Sequence, residues 1–172
     1  MATREKNWIF IFGAIITLLG VFIALFDETL AMWQHTDSIW GDFYLNAFGI
    51  VKLNGETAFN WTEDGGTYVY AGLIIIVGGL FALISGITGS KGLGFISAFA
   101  ILGGLAYFFY SHVVFVNDNI FAFAFLGGMG SVEGIEIVWG TNGAVNWRIG
   151  NGAFIVAAGA IVTFAGLGKK KY

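Results

Sequence analysis

The stretch WIFIFGAIITLLGVFIALF, Trp8 to Phe26, runs for nineteen residues without a charge. At 1.5 Å of rise per residue such a helix crosses a hydrocarbon core of about 30 Å. Its length, and the acidic Asp27-Glu28 that follows it, separate it from a cleaved signal peptide, which has a shorter apolar run and a small-residue cleavage site. Three further stretches read the same way: 68–88, then 93–116, interrupted only by Ser111 and His112, and 149–168. The expected fold is therefore an all-α integral membrane protein, a bundle of four transmembrane helices in a single domain.

Composition agrees with this reading. The chain has 172 residues, 57% of them hydrophobic and 11% charged, where soluble domains carry about 25% charge. Its mean hydropathy is +0.79. With no cysteine present, disulfides, thiolate metal ligation, c-type haem attachment and a cysteine nucleophile are excluded. A net charge of −3 gives no footprint for nucleic acid.

The charges sort by side. Arg4, Lys6, Lys91 and Lys169 to Lys171 all flank the spans at one end, with Glu5 the only acid among them. The segments 27–67 and 117–148 hold Lys52 and Arg148 against ten acids. Basic residues near span ends set orientation, so a multi-pass protein of the cell membrane with both termini cytoplasmic is expected, with 27–67 and 117–148 outside. Trp8, Tyr68, Tyr70, Tyr107, Tyr110 and Trp147 fall near the expected interfaces.

The chain also reads as one unit written twice, residues 1–90 and 91–172. Gly72, Gly79 and Gly86 lie seven apart in the second span, and Gly152, Gly159 and Gly166 repeat the pattern in the fourth. Asn54-Gly55 and the later Asn60-Trp61 are echoed by Asn142-Gly143 and Asn146-Trp147. Each half is a span, an outer loop and a span in one orientation, which makes a parallel repeat about an axis along the membrane normal. Residues seven apart return to nearly one helix face, so both glycine rows are expected at helix contacts, where close backbone approach replaces burial from water.

The outer segments are too long for plain connections. Asn-Gly between β-prone runs signals a hairpin, so each outer segment is expected to carry a small β-hairpin, and the two could pair into one sheet. Asp27–Trp40 reads as an extension of the first span or a surface helix. Phe121, Phe123 and Phe125 alternate along one face and are a possible interface with another chain, or a patch covered by the protein itself or by lipid. Gly127-Gly128-Met129-Gly130 reads as a turn.

Residues able to carry chemistry are few. His112, with Asp27 and Glu28 at an equivalent level of the other half, is a candidate for a divalent cation or a proton relay, set against a plain hydrogen-bonded histidine at the membrane interface. The pairs Asp27-Glu28 and Glu63-Asp64 read as a solvated acidic collar. No phosphate-binding loop or hydrolase constellation is present. Within the spans the polar side chains reduce largely to Thr17, Ser85 and Ser97, which argues against a transporter.

Span order, the longer first outer segment and its expected sheet resemble the claudin-like four-span proteins. The resemblance is in topology only: those proteins mark the first loop with a Trp, a Gly-Leu-Trp and two cysteines, whereas here Trp33 and Trp40-Gly41 are present without any cysteine, and no functional residue is carried over. The functional expectation is a non-enzymatic membrane protein without cofactors, acting through lateral and outward contacts. It is either a self-assembling structural protein or an accessory subunit, a homo-oligomer or a hetero-complex with other membrane subunits, in contact with lipid. Alternatives are an auxiliary subunit of a membrane oxidoreductase or metal enzyme, and an oligomeric channel.

Overall fold

The computed structural model describes residues 5–37, 41–63, 66–119, 138–142 and 145–168. Four helices, α1 (Trp8–Phe22), α2 (Tyr68–Thr88), α3 (Lys91–Asp118) and α4 (Asn151–Leu167), form a bundle. One antiparallel sheet covers its end, built from β1 (Trp33–Asp37), β2 (Gly41–Leu45), β3 (Ile50–Leu53), β4 (Glu56–Asn60), β5 (Gly140–Asn142) and β6 (Val145–Ile149). The first three helices, α1 with its following 3-10 turn, are long and apolar enough to cross a membrane, while α4 has 17 residues.

The helices meet through small residues in two seams. Between α1 and α4 the seam is reciprocal: a side chain at Gly13 would strike Thr163 Oγ1, and one at Gly159 would strike Thr17 Oγ1. Both threonine hydroxyls donate at 2.9 Å to carbonyls of their own helix, Gly13 and Gly159, so no polar group is stranded where the backbones approach. Between α2 and α3, Cβ atoms at Gly78 and Gly104 would each lie 3.0 Å from a backbone nitrogen, of Ile101 and Ile75 respectively. Ser97 Oγ donates across this seam to the Gly78 carbonyl at 2.7 Å.

The end of the bundle away from the sheet is tied by caps. Asn7 caps α1, and its Nδ2 donates to the Gly166 carbonyl at 2.8 Å. Its backbone N–H donates to Gly86. Gly89, at φ 65°, closes α2 in the left-handed conformation that favours glycine. Lys91 Nζ donates to Leu167 O, placing a cation at the C-terminus of α4.

Strand order is β4-β3-β2-β1-β6-β5 with every neighbouring pair antiparallel. Asn54 and Gly55, at φ 52° and 90°, make the tight turn between β3 and β4, the geometry that Asn-Gly favours. In the second outer segment Asn142 is the last residue of β5 and pairs with Val145; Gly143 lies outside the described residues.

The sequence expectations are corrected at several points. Over its described part, residues 27–37, the stretch Asp27–Trp40 is neither a helical extension nor a surface helix. After α1, two 3-10 turns (Ile23–Leu25 and Glu28–Leu30) lead into β1, the central strand that joins the two outer segments. Its alternation explains this: Trp33 and His35 face the bundle while Gln34 and Thr36 lie on the other side of the pleat. The fold is consequently not all-α, because the β3–β4 and β5–β6 pairs are joined through β2 and β1 into a six-stranded sheet. Ile149, counted with the fourth span, pairs with Trp33 in the sheet, and α4 starts at Asn151. The third helix continues past Ser111 and His112 to Asp118.

Candidate functional site

The largest concentration of polar aromatic chemistry lies where the sheet meets the bundle. From β1 come Trp33 and His35, from β6 Trp147, from the segment after β4 Trp61, from α2 Tyr68 and from α3 His112 and Phe115. All are buried. The period-two alternation of the strands aims Trp33, His35 and Trp147 at the bundle. The 3.6-residue period of α3 stacks Phe108, His112 and Phe115 on its inner face.

Two tryptophan–histidine stacks organise this junction. Trp61 lies over His112 with ring centroids 6.0 Å apart and 20° between planes. Trp147 lies over His35 at 6.4 Å and 15°. Trp33 sits between them, 4.4 Å from the His112 ring and 5.9 Å from His35. Tyr68 Oη and His112 Nδ1 share a hydrogen bond of 3.0 Å. His112 Nε2 and Trp33 Nε1 are buried with no hydrogen-bond partner among the described residues. Just outside the box, Thr67 Oγ1 and Ser111 Oγ are joined at 2.7 Å. Both hydrogen bonds join the start of α2 to α3, and the ring contacts of Trp33 and Trp61 with His112 seat the sheet side on them.

His112 is thus not an interfacial histidine in contact with water; it is fully buried. Its suggested partners are engaged elsewhere. Asp27 Oδ1 accepts from the Thr29 hydroxyl at 2.7 Å and the Thr29 N–H at 2.9 Å, which hold its carboxyl below the usual carboxylate range. Glu28 Oε1 accepts from Gly55 N at 2.7 Å, tying the 3-10 turn to the β3–β4 hairpin. No group of three or more metal-ligating side chains occurs among the described residues.

The packing glycines divide. Gly79 and Gly86 face α1, against Leu18 and Ile11, and Gly159 and Gly166 face α1, against Thr17 and Phe10. Gly72 meets Phe48 and the Ala47 carbonyl in the β2–β3 turn, and Gly152 meets the Leu30 carbonyl. The outermost glycine of each row therefore receives the sheet and its connections rather than a helix. Phe121, Phe123 and Phe125 lie outside the described residues.

The sequence reading missed Trp33, His35 and Tyr68 as members of one cluster. The signal available was the alternation Trp33-Gln34-His35-Thr36, which has strand period.

Away from the bundle the sheet presents a polar face. Arg148 Nε donates to Gln34 Oε1 at 3.2 Å, and Tyr44 Oη donates to Asp42 Oδ2 at 3.3 Å. Partial burial, and then the Asp42 charge, push the Tyr44 hydroxyl up from its ordinary value. Comparison with protein families, with curated proteins and with solved structures finds no match to this chain.

Proposed function

We propose that the chain is a non-enzymatic, four-span protein of the cell membrane. It acts through lateral and extracytoplasmic contacts, either as a self-assembling structural protein or as an accessory subunit of a larger complex. The observation that carries this reading is the division of its surface. The buried aromatic junction welds both outer segments into one roof, the sheet turns a polar face away from the bundle, and the helix flanks stay apolar. Phe12, Ile96, Phe154 and Ile161 are each more than half exposed, which suits lipid or neighbouring helices.

Several features support the finer parts. The 17 residues of α4 stand at the lower limit of about 17–25 for a span, and Ile149 and Gly150 continue its apolar run into the sheet. Lys6 and Lys91 lie at the end away from the sheet, as cytoplasmic termini require. For the duplication, the α1–α4 seam centred on Gly13 and Gly159 has its counterpart in the α2–α3 seam centred on Gly78 and Gly104, and each half contributes one stacked tryptophan.

Native mass spectrometry of gently solubilised protein, with metal analysis of the same sample, tests this reading. A metal-free homo-oligomer supports the structural role, and a defined hetero-complex supports the accessory role. Stoichiometric metal overturns both in favour of a metal-enzyme subunit. A metal-free monomer refutes action through lateral assembly.

A further inference from the structure

On the polar face of the sheet, a cavity of about 390 Å³ opens over β1, β6 and β5, lined by Thr36, Trp139, Thr141, Asn146 and Arg148. This falls within the range of about 300–1,000 Å³ typical of small-ligand sites. Strand register builds it in two rows. Asp42 pairs with Thr36, which pairs with Asn146, which pairs with Thr141, so two hydroxyls flank an amide, the Thr141 hydroxyl donating to the Val145 carbonyl at 3.2 Å. Gln34 pairs with Arg148, and Trp139, just before β5, lines the cavity together with Arg148.

The composition of these rows is specific. Trp139 exposes 62% of its surface, although an indole of this size gains about 1.5–3 kcal/mol or more from burial. Beside it, Arg148 is held at Nε by Gln34, itself nearly fully buried and therefore a fixed acceptor. That contact leaves the two terminal nitrogens of the guanidinium directed elsewhere, and Arg148 has no carboxylate partner among the described residues, on a side of the protein rich in acids. A planar guanidinium recognises a carboxylate with two parallel hydrogen bonds. An exposed indole offers an apolar platform for a flat, weakly polar ring face. Hydroxyl and amide groups in a row match a polyhydroxylated ring.

We propose that this face binds a carboxylated sugar, a hexuronic acid residue of a glycan. The ring lies on Trp139, its carboxylate is paired with Arg148, and its hydroxyls meet Thr36, Asn146 and Thr141. The assignment rests on the reading above for its location outside the membrane, and it names the chemical class of one outward contact.

The test is calorimetric titration of the full chain in nanodiscs with methyl glucuronide, methyl glucoside and acetate. Glucuronide is expected to bind about tenfold or more tighter than either control. Trp139→Ala and Arg148→Gln are each expected to weaken it by about the same factor while thermal unfolding is unchanged. Equal binding of glucoside overturns the role of the carboxylate. Equal binding of acetate reduces the cavity to a plain anion site and overturns the sugar. Binding that survives both substitutions, or no binding, overturns the site. Sidedness is read separately, by labelling Thr57→Cys in the otherwise cysteine-free chain with a membrane-impermeant maleimide on intact cells. An unlabelled cysteine refutes the outward orientation whatever the calorimetry gives.

Discussion

The two helices that pack against α1, namely α2 and α4, close their contacts with it differently. Gly79 of α2 and Gly159 of α4 both face α1. A Cβ at Gly159 would stand 2.7 Å from Thr17 N and 3.0 Å from the Gly13 carbonyl, both of them backbone. At Gly79 it would meet only side chains, Leu18 at 2.9 Å and Thr17 Cγ2 at 3.5 Å. A glycine that faces α1 thus marks an immovable contact on α4 and a compliant one on α2. Sequence spacing identifies a packing face; whether backbone or side chain lies opposite decides what that face tolerates.

The largest effect follows from this contrast. Gly159→Leu is expected to cost more than about 3 kcal/mol, above the usual range for overpacking, because backbone cannot rotate aside. Gly79→Leu is expected to cost about 1–2 kcal/mol, since the Leu18 side chain can take another rotamer. Thermal unfolding in one detergent reads both. Equal losses would erase the distinction between the two contacts.

Next in size is the junction. The stack of Trp61 on His112 is anchored by Tyr68, so Tyr68→Phe deprives His112 Nδ1 of a partner in a dry site. The expected cost is about 1–3 kcal/mol, seen as a lower unfolding temperature. The imidazole NMR signals of His112 should move while those of His35, in the other stack, stay in place. Movement of both would show that the two stacks act as one unit.

Much of this was legible in advance, for physical reasons that differ by element. The three long apolar helices could be read because an uncharged run of about twenty residues at helical rise is a strong local signal. The turn at Asn54-Gly55 could be read because two successive positive φ angles select those residues. The β1 strand was harder to read, because its alternation spans only five residues, includes no two adjacent apolar side chains, and one of its two partners, β6, lies over a hundred residues away. Burial of His112 was hidden for the same reason: what covers it, Trp33 and Trp61, arrives from the loop and not from the helix. Equivalent helical level suggested Asp27 and Glu28 as its companions, but a helical level says nothing of a sheet inserted between.

A smaller effect separates the hairpins. Gly55 has φ 90°, and a Cβ at this position would have no neighbouring atom within 4 Å, so Gly55→Ala meets backbone strain alone. A loss of about 1 kcal/mol is expected, readable by thermal unfolding. Its backbone N–H also donates to Glu28, so Glu28→Gln should keep most of that tie, whereas Glu28→Ala should loosen the hairpin and add to the loss. If Gly55→Ala is neutral, the positive φ is not held in solution and the first hairpin is less constrained than its turn implies.

The smallest expected effect lies at the sheet-side ends of α1 and α3. Helix α3 continues unbroken to Asp118, whereas α1 gives way to 3-10 turns in which Asp27 takes both the hydroxyl and the N–H of Thr29. These bonds favour the ionised carboxyl, and the sign follows. A group whose native pKa is depressed stabilises the fold above its unfolded value, about 3.9 for aspartate, and that contribution is lost as pH falls through the lower native value. Because Asp27 is exposed, water competes for the same bonds and the change in stability is slight. Carboxyl NMR therefore gives the sharper reading. Asp27 should titrate below an ordinary aspartate, and Thr29→Val, which removes the hydroxyl but keeps the backbone N–H, should bring it part of the way back. An Asp27 that titrates normally would mean that the 3-10 turn is uncapped and that the route from α1 into β1 is set by the sheet alone.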